Sequence, residues 1–339
     1  MAADTLVDPA GALSLQREKM DVAAIGLREA DTLKPGWRRI RCGKGWRFVG
    51  KDGASLGNAQ RQRCESLVIP PAWQSVWINP DSKGHIQAYG TDAAGRRQYI
   101  YHPEWGEAAG AAKFADMLRF ADKLPALRTR LKSTIANSDD EFERAVAVVV
   151  RLLDVSGLRI GHRRYRESSG AIGATTLQAR HLKFKDGVLE LAFPSKSGKF
   201  QTKQIDDPDL CAQLHDFCGR PGEDLFDLED GRITAADVNA FIRAAMKAPF
   251  TAKDFRTWGG SVAAGDALRR APEKRAKAVV EAAAEWLGNT PAVARQSYIH
   301  PAILRAAETD APLVLPEGPV RLRAAERTCY GLILRDAEN

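Results

Sequence analysis

The stretch that most constrains this chain runs from Trp286 to Tyr298, Trp-Leu-Gly-Asn-Thr-Pro-Ala-Val-Ala-Arg-Gln-Ser-Tyr. It stops one helix and starts another within a few residues. Trp286 and Leu287 read as the last buried turn of a helix. Gly288 can take the left-handed conformation that ends it. Thr290 is a good N-cap for the next helix, and Pro291 suits its first turn. Asn289 therefore falls at a helix N-terminus, where backbone N–H groups favour an anion. Tyr298 falls two turns further on. Alone, the stretch reads more readily as a corner between two helices whose tyrosine packs into a core.

The rest of the chain supplies two settings for such a corner. Residues 1–33 read as an N-terminal arm, with helical character around Ser14 to Leu27. Strand chemistry then begins. Trp37 to Arg41 and Trp46 to Val49 form a hairpin about Cys42-Gly43-Lys44-Gly45. Ile69 to Trp73 is a rigid Pro-Pro corner. His85 to Tyr89 and Gln98 to Tyr101 pair across a turn at Ala93 to Arg96. These features predict a small, basic, mostly β domain over 34–107. Its aromatics, Trp37, Trp46, Tyr89, Tyr99 and Tyr101, alternate with Arg and Gln; they suit a nucleic-acid groove or a small core.

From Ala109 the apolar spacing turns helical, through Phe114, Met117, Phe120, Leu124, Leu127 and Leu131. Ser138 with Glu141 three residues on predicts a capping box for a helix reaching about Asp154. Ser156 to Gly161 breaks it, which leaves Arg159 at a loop or helix start. Three strands follow, 182–184, 188–193 and 200–205, and Lys196 sits on the tip between the last two. Further helices are expected at 208–218, 234–247, 252–268 and 272–287, and a last one near Pro319 to Arg335. Thr251 reads as an N-cap, which puts Arg256 in the first turns of its helix. Residues 108–339 thus form a larger, mainly α-helical domain with a three-stranded β insertion, and the fold class is α+β.

Charge narrows the partner. The 339-residue chain carries a net charge of +7. From Arg151 to Lys203 there are eleven Lys/Arg against four Asp/Glu, and from Lys34 to Arg63 nine against one. Positive charge gathered in two blocks points to a polyanion. The 5 cysteines are odd in number and lack CxxC spacing, which argues against a disulfide frame or zinc site and for a reducing compartment. No secretory signal is recognisable, and the longest apolar run, Ala145 to Val150, is far too short to span a membrane. Gly43-Lys44-Gly45 lacks the spacing of a nucleotide-binding P-loop.

Arg159 in Val-Ser-Gly-Leu-Arg-Ile-Gly, Lys196 in Phe-Pro-Ser-Lys-Ser-Gly-Lys, Arg256 in Lys-Asp-Phe-Arg-Thr-Trp-Gly-Gly, Asn289 and Tyr298 occur in that order. The order resembles that of type IB DNA topoisomerases, in particular the short bacterial and poxvirus-like branch, over about Pro35 to Leu304. The poxvirus enzymes have histidine where Asn289 stands, and the bacterial branch commonly has asparagine. The resemblance implies a tyrosine recombinase/topoisomerase IB-like fold whose N-terminal domain is half of a clamp on duplex DNA. It implies Tyr298 as nucleophile, forming a 3′-phosphotyrosyl bond, and Lys196 as the acid for the leaving 5′-oxygen. It matches Lys253 to a second lysine of the proton relay.

The chemistry of these residue types agrees. Two guanidiniums and an amide, Arg159, Arg256 and Asn289, suit the charge of a phosphorane-like transition state. A phenol with a reference pKa of about 10 needs neighbouring cations to lose its proton. No cofactor is expected: cations stand where a metal would, and the phosphotyrosine stores the bond energy, so Mg²⁺ at most stimulates and ATP is not needed. The expected DNA contacts are Arg38, Arg39, Arg41, Trp46, Tyr89 and Tyr99, with Arg163, Arg164 and Lys199. The expected partner is double-stranded DNA, held by a monomer, in a cytoplasmic, nucleoid-associated protein. Two alternatives stand beside this. A tyrosine recombinase shares a similar pocket, but usually has a His-x-x-Arg box where Lys253 stands and a helical N-terminal domain. A non-enzymatic DNA-binding protein explains the charge but not the ordered Arg, Lys, Arg, Asn, Tyr set.

Overall fold

The computed structural model describes residues 21–309 and 318–338, apart from 94, 186, 220–222, 230 and 271–274 and the side chains of 113, 197 and 275. The chain divides into two compact units, Met1–Ala115 and Asp116–Asn339. The expected boundary at 107/108 falls inside a helix of the first unit. The expected helix around Ser14 to Leu27 lies outside the described residues up to 20, and beyond them only a short 3₁₀ turn, Ala23–Ile25, is formed.

The first unit is built on a five-stranded antiparallel sheet of order β2-β1-β3-β4-β5, from β1 (Trp37–Cys42), β2 (Gly45–Val49), β3 (Gln74–Ile78), β4 (Ile86–Thr91) and β5 (Arg97–Tyr101). The β1–β2 turn uses Gly43 at φ +55°, which only glycine adopts without strain. Between β2 and β3 lies α1 (Asn58–Ser66), and α2 (Pro103–Ala115) closes the unit. The sequence reading missed α1 because only Cys64 of its 9 residues is buried, so it carries almost no apolar stripe. One face of the sheet is closed by Phe48, Cys64, Ile69, Val76, Ile78 and Ala88, with Trp37, Trp46 and Trp73 packed against them.

Strand alternation puts a different set on the other face. Trp77 stacks on Tyr89 at 5.2 Å, Tyr89 lies 6.1 Å from Tyr99, and Tyr99 lies 5.9 Å from Tyr101. The Arg97 guanidinium covers the Tyr89 ring at 4.4 Å. The aromatics grouped together by sequence thus belong to opposite faces. Arg39 belongs with the core side. Its guanidinium donates to the carbonyls of Ile69 (2.8 Å), Pro70 (3.0 Å) and Trp73 (2.7 Å), and it pins the Pro-Pro corner beneath Trp46.

The second unit is helical around α3 (Met117–Asn137) and α4 (Glu141–Ser156). α3 buries Met117, Phe120, Leu124, Leu127 and Leu131 at helical spacing. α4 is buried along most of its length, from Ala145 to Val150 and at Leu152 and Leu153. Its cap differs from the expected one. Asp140, not Ser138, accepts from the Glu143 N–H at 3.1 Å, while the Ser138 hydroxyl donates to the Glu143 carboxylate at 2.9 Å. α5 (Arg163–Ser169) follows, then the antiparallel sheet β6 (Leu182–Lys185), β7 (Val188–Pro194) and β8 (Phe200–Ile205). Next come α6 (Pro208–Cys218), a two-residue ribbon β9 (Asp227–Leu228) and β10 (Gly231–Arg232), and α7 (Ala235–Met246). The chain continues through α8 (Ala252–Arg270), α9 (Arg275–Leu287), α10 (Pro291–Ser297), α11 (Pro301–Glu308) and α12 (Ala324–Glu338). α8 is the central member of the later group, packed on α9, α11 and α12. Among the described residues, no helix is long and apolar enough to cross a membrane.

Candidate active site

The site is assembled around the C-terminal end of α9. The last carbonyls of a helix have no partner within it, and here side chains from two other elements take them. Lys203 of β8 donates to the carbonyls of Trp286 and, at 3.4 Å, Glu285. Arg256 of α8 donates to the Leu287 carbonyl at 3.1 Å, and Gln201 of β8 to that of Gly288 at 3.0 Å. The negative end of the helix dipole suits these cations. Gly288 ends α9 at φ +61°, and the Gln201 side chain lies where a Cβ would project.

Trp286 wedges these elements together. A Cβ on Gly157 would come within 2.4 Å of its indole, and one on Gly259 within 2.0 Å. Gly157 ends α4 at φ +63°, so it must be glycine for backbone as well as for space. The next glycine, Gly260, lets Leu287 and Tyr298 approach α8: an added Cβ would meet the Leu287 Cδ1 at 2.9 Å and the Tyr298 Cβ at 3.2 Å. The buried Ser261 hydroxyl donates to the Tyr298 carbonyl at 2.9 Å and accepts from the His300 N–H at 2.9 Å. Gly259-Gly260-Ser261 is therefore the seat on which Trp286, Leu287 and Tyr298 rest.

Four of the residues singled out in the sequence meet here. Arg159 donates to the Asn289 carbonyl oxygen of its side-chain amide at 2.6 Å. This fixes the amide's orientation and leaves its Nδ2 buried, without a hydrogen-bond partner among the described residues. Arg256 is 5% exposed. It also donates to the Gly157 carbonyl, its guanidinium carbon lies 5.2 Å over the Tyr298 ring, and its Nε is a second buried donor without a partner among the described residues. Thr290 caps α10 as expected, accepting from Val293 N–H at 3.4 Å. Tyr298 is the residue at which α10 ends, not a residue within it.

The electrostatics follow from crowding cations in a partly dry place. Burial, then the neighbouring Arg159, push the Arg256 guanidinium down to about 10. Burial also lowers Arg159. For Tyr298 burial alone would raise the phenol, but Arg256, which hydrogen-bonds to it, with Arg159 and Lys253, outweighs that and brings it below its ordinary value. Lys253 lies one turn before Arg256 on α8 and is half-buried. Lys196 is exposed on the 3₁₀ turn Lys196–Gly198 between β7 and β8, apart from the hydrogen-bonded cluster.

Lys203 was not singled out in the sequence. Burial and then Arg256, with a further contribution from Arg159 and partial relief from Glu285, push its ammonium down to about 8. A signal existed. Gln201, Lys203 and Ile205 share one face of β8, and Ile205 marks that face as the buried one. Of the expected DNA contacts in this unit, Arg163 pairs with Glu167 at 2.6 Å, and Arg164 and Lys199 are exposed. In the first unit Arg38 and Arg41 are exposed, whereas Trp46 is half-buried against the core and Tyr89 and Tyr99 line the opposite face.

Comparison with known proteins gives the family. Residues 104–304 match the family described as the catalytic core of eukaryotic DNA topoisomerase I, and residues 45–92 match the N-terminal domain of bacterial DNA topoisomerase IB. A curated relative, DNA topoisomerase 1B of Acanthamoeba polyphaga mimivirus, is 30% identical over 261 residues, covering 70% of this chain and 77% of its own. Among solved structures, the XerH site-specific recombinase on its palindromic difH substrate after cleavage is 14% identical at a TM-score of 0.38, covering 53% of this chain and 49% of its own. The pre-cleavage complex is 16% identical at 0.36, covering 54% and 50%. The chain thus spans about half the length of those recombinases, at a likeness too loose to carry an argument. The family match covers most of the catalytic unit and is joined by a match specific to the bacterial N-terminal domain, so the chain belongs to the type IB DNA topoisomerases and is an isomerase of the type I class.

Proposed function

We propose that the protein binds duplex DNA, cleaves one strand by attack of the Tyr298 hydroxyl, lets the duplex relax and reseals the strand by the reverse step. The phenolate oxygen forms a bond to phosphorus and the 5′-oxygen leaves, taking a proton from Lys196. The product is a 3′-phosphotyrosyl linkage and a free 5′-hydroxyl. Because one phosphodiester replaces another, resealing needs no ATP. Arg159, Arg256 and the Asn289 amide hold the non-bridging oxygens, where charge grows in the transition state. The observation that carries this reading is the pair of buried donors left over, Asn289 Nδ2 and Arg256 Nε, beside a phenol whose pKa cations have lowered. Buried donors are rarely left unpaired, and a phosphate oxygen would satisfy both.

Double-stranded DNA is the partner that fits the charge, with the exposed Arg38, Arg41, Arg164 and Lys199 and the half-buried Arg163 as phosphate contacts and the Tyr89–Tyr99 face of the first unit lying along a groove. The protein acts as a monomer on the nucleoid. The test is relaxation of supercoiled plasmid in EDTA without nucleotide. Both positive and negative supercoils should relax, and Mg²⁺ should alter at most the turnover rate. An absolute need for Mg²⁺ or ATP would refute the proposal, and a need for paired specific sites would indicate a recombinase.

A further inference from the structure

Lys203 sits among the cations of the pocket, although it is neither the nucleophile nor the expected acid. Its ammonium reaches the Glu285 and Trp286 carbonyls at the end of α9, and two residues along the same strand Gln201 reaches the Gly288 carbonyl. Asn289 is the next residue. Its own N–H donates to the Ala284 carbonyl at 2.9 Å, inside the turn that Lys203 and Gln201 clamp. The corner that presents the Asn289 amide is therefore tied at Glu285, Trp286 and Gly288 to one face of β8. Leu287, between them, is tied to Arg256.

We infer that Lys203 is a positioning residue for strand cleavage, acting through Asn289: by holding the last turn of α9 to β8, it sets where the Asn289 amide meets the phosphate. The inference rests on the function proposed above, and it adds to it a lysine distinct from Lys196 and Lys253. The geometry also assigns a second consequence. β8 begins just after the turn that carries Lys196, and Lys203 lies on its inward face, so the clamp ties the strand below Lys196 to the Asn289 corner. A lysine suits the place because its single ammonium can reach two successive carbonyls while it lies 5.8 Å over the Trp286 ring.

The experiment is single-turnover cleavage of a duplex oligonucleotide by the full chain, with Lys203→Met, Asn289→Ala and the double variant. Lys203→Met keeps the stem and removes the ammonium, and Lys203→Gln serves as a second variant if the first fails to fold. Each single variant should slow cleavage, Lys203→Met by about ten- to a hundredfold as expected for a displaced catalytic group. In the Asn289→Ala background, Lys203→Met should slow it by less than about twofold further, because the group it positions is gone. The same Lys203→Met loss should appear on a strand with a 5′-bridging sulfur, a leaving group that needs no acid. A wild-type rate in Lys203→Met, or a full loss repeated in the Asn289→Ala background, would overturn the inference. So would a loss that vanishes on the sulfur strand, which would make Lys203 the proton donor. Failure of the wild type to cleave at all, or cleavage by Tyr298→Phe, would instead refute the proposed function and not the clamp in particular.

Discussion

Tyr298 is held at its Cβ, over its ring and through its backbone. Gly260 lies against its Cβ, the Arg256 guanidinium faces its ring, and Ser261 holds its carbonyl. Removing its oxygen alone should leave this packing intact. Tyr298→Phe should abolish the covalent adduct and relaxation, while its stability shifts by no more than about 1 kcal/mol, the scale of one hydrogen bond. Trapping with denaturant and mapping the DNA-linked peptide measures it. Label on Tyr165 or Tyr330 would move the nucleophile and with it the register of the pocket. Lys203 makes an independent prediction about pH. Its folded pKa of about 8 lies below the ordinary 10.5. Below pH 8 both folded and unfolded chains carry the charge, and the folded one bears the full penalty of burying it. Between 8 and 10.5 the folded chain releases the proton first, so stability should rise with pH there, by up to about 3 kcal/mol. Chemical denaturation at pH 7.5 and 9.5 should show this rise in the wild type and not in Lys203→Met. Equal pH dependence in the two would show that the ammonium is not buried as the structure has it.

At the scale of elements, what could be read from the sequence was punctuation and period. The end of α9 at Gly288, the Thr290 cap and the Pro291 start were legible because each rests on the chemistry of one residue. The strands from β6 to β8 and the long apolar stripe of α3 were legible because a packed face repeats. α1 was not, because a helix resting on Cys64 alone has no stripe. The α4 cap was misplaced by two residues because Ser138 and Asp140 are both capping types, and it is the Asp140 carboxylate that accepts from the Glu143 N–H. Arg159, Arg256, Asn289 and Tyr298 could be collected from their order along the chain, but the order says nothing of Gly157 and Gly259 packed against Trp286. That contact gives a prediction at this scale. Gly259→Ala adds a methyl group 2.0 Å from the indole, in a site with rigid rings rather than a flexible chain end. It should destabilise the protein by about 1–3 kcal/mol, as overpacking does. It should also slow cleavage, since the displaced Trp286 immediately precedes the corner that holds Asn289. Gly265→Ala is the control on the same helix, for there the nearest atom is 3.6 Å from the added carbon. Thermal unfolding and single-turnover rates should separate the two variants.

For the molecule as a whole, the positive excess that marks DNA binding needs an internal counterweight, and the second unit has one. Arg128 of α3 makes paired hydrogen bonds to Asp154 of α4 at 2.9 and 2.8 Å and to Glu326 of α12 at 2.9 and 2.5 Å. Arg323 reaches Asp154 at 3.1 Å, Arg151 reaches the same carboxylate at 3.4 Å, and Arg151 also binds Asp207 at 2.6 Å. Side chains far apart in sequence are thus joined around one carboxylate that is only 2% exposed. None of this was legible beforehand, because charges this distant in the chain reveal their pairing only once the helices are packed. Burial alone would raise the Asp154 carboxyl, but Arg128, Arg323 and Arg151 hold it below the usual range. Such a network is not worth much against apolar packing, but removing one partner leaves an uncompensated charge. Arg128→Met should therefore destabilise the protein by about 3–5 kcal/mol at neutral pH, since two carboxylates then share a buried site. The sign with pH follows from linkage. In the wild type the lowered Asp154 pKa contributes stability that is present above the ordinary carboxylate range and lost as pH falls through the folded value. In Arg128→Met the Asp154 carboxyl loses the first of the three guanidiniums that hold it down, and protonating it relieves the repulsion. The gap between wild type and variant should be widest near pH 7 and narrow towards pH 4, as read by urea unfolding at each pH. A gap that stays constant across that range would mean that Arg128 acts through the packing of its stem rather than through its charge.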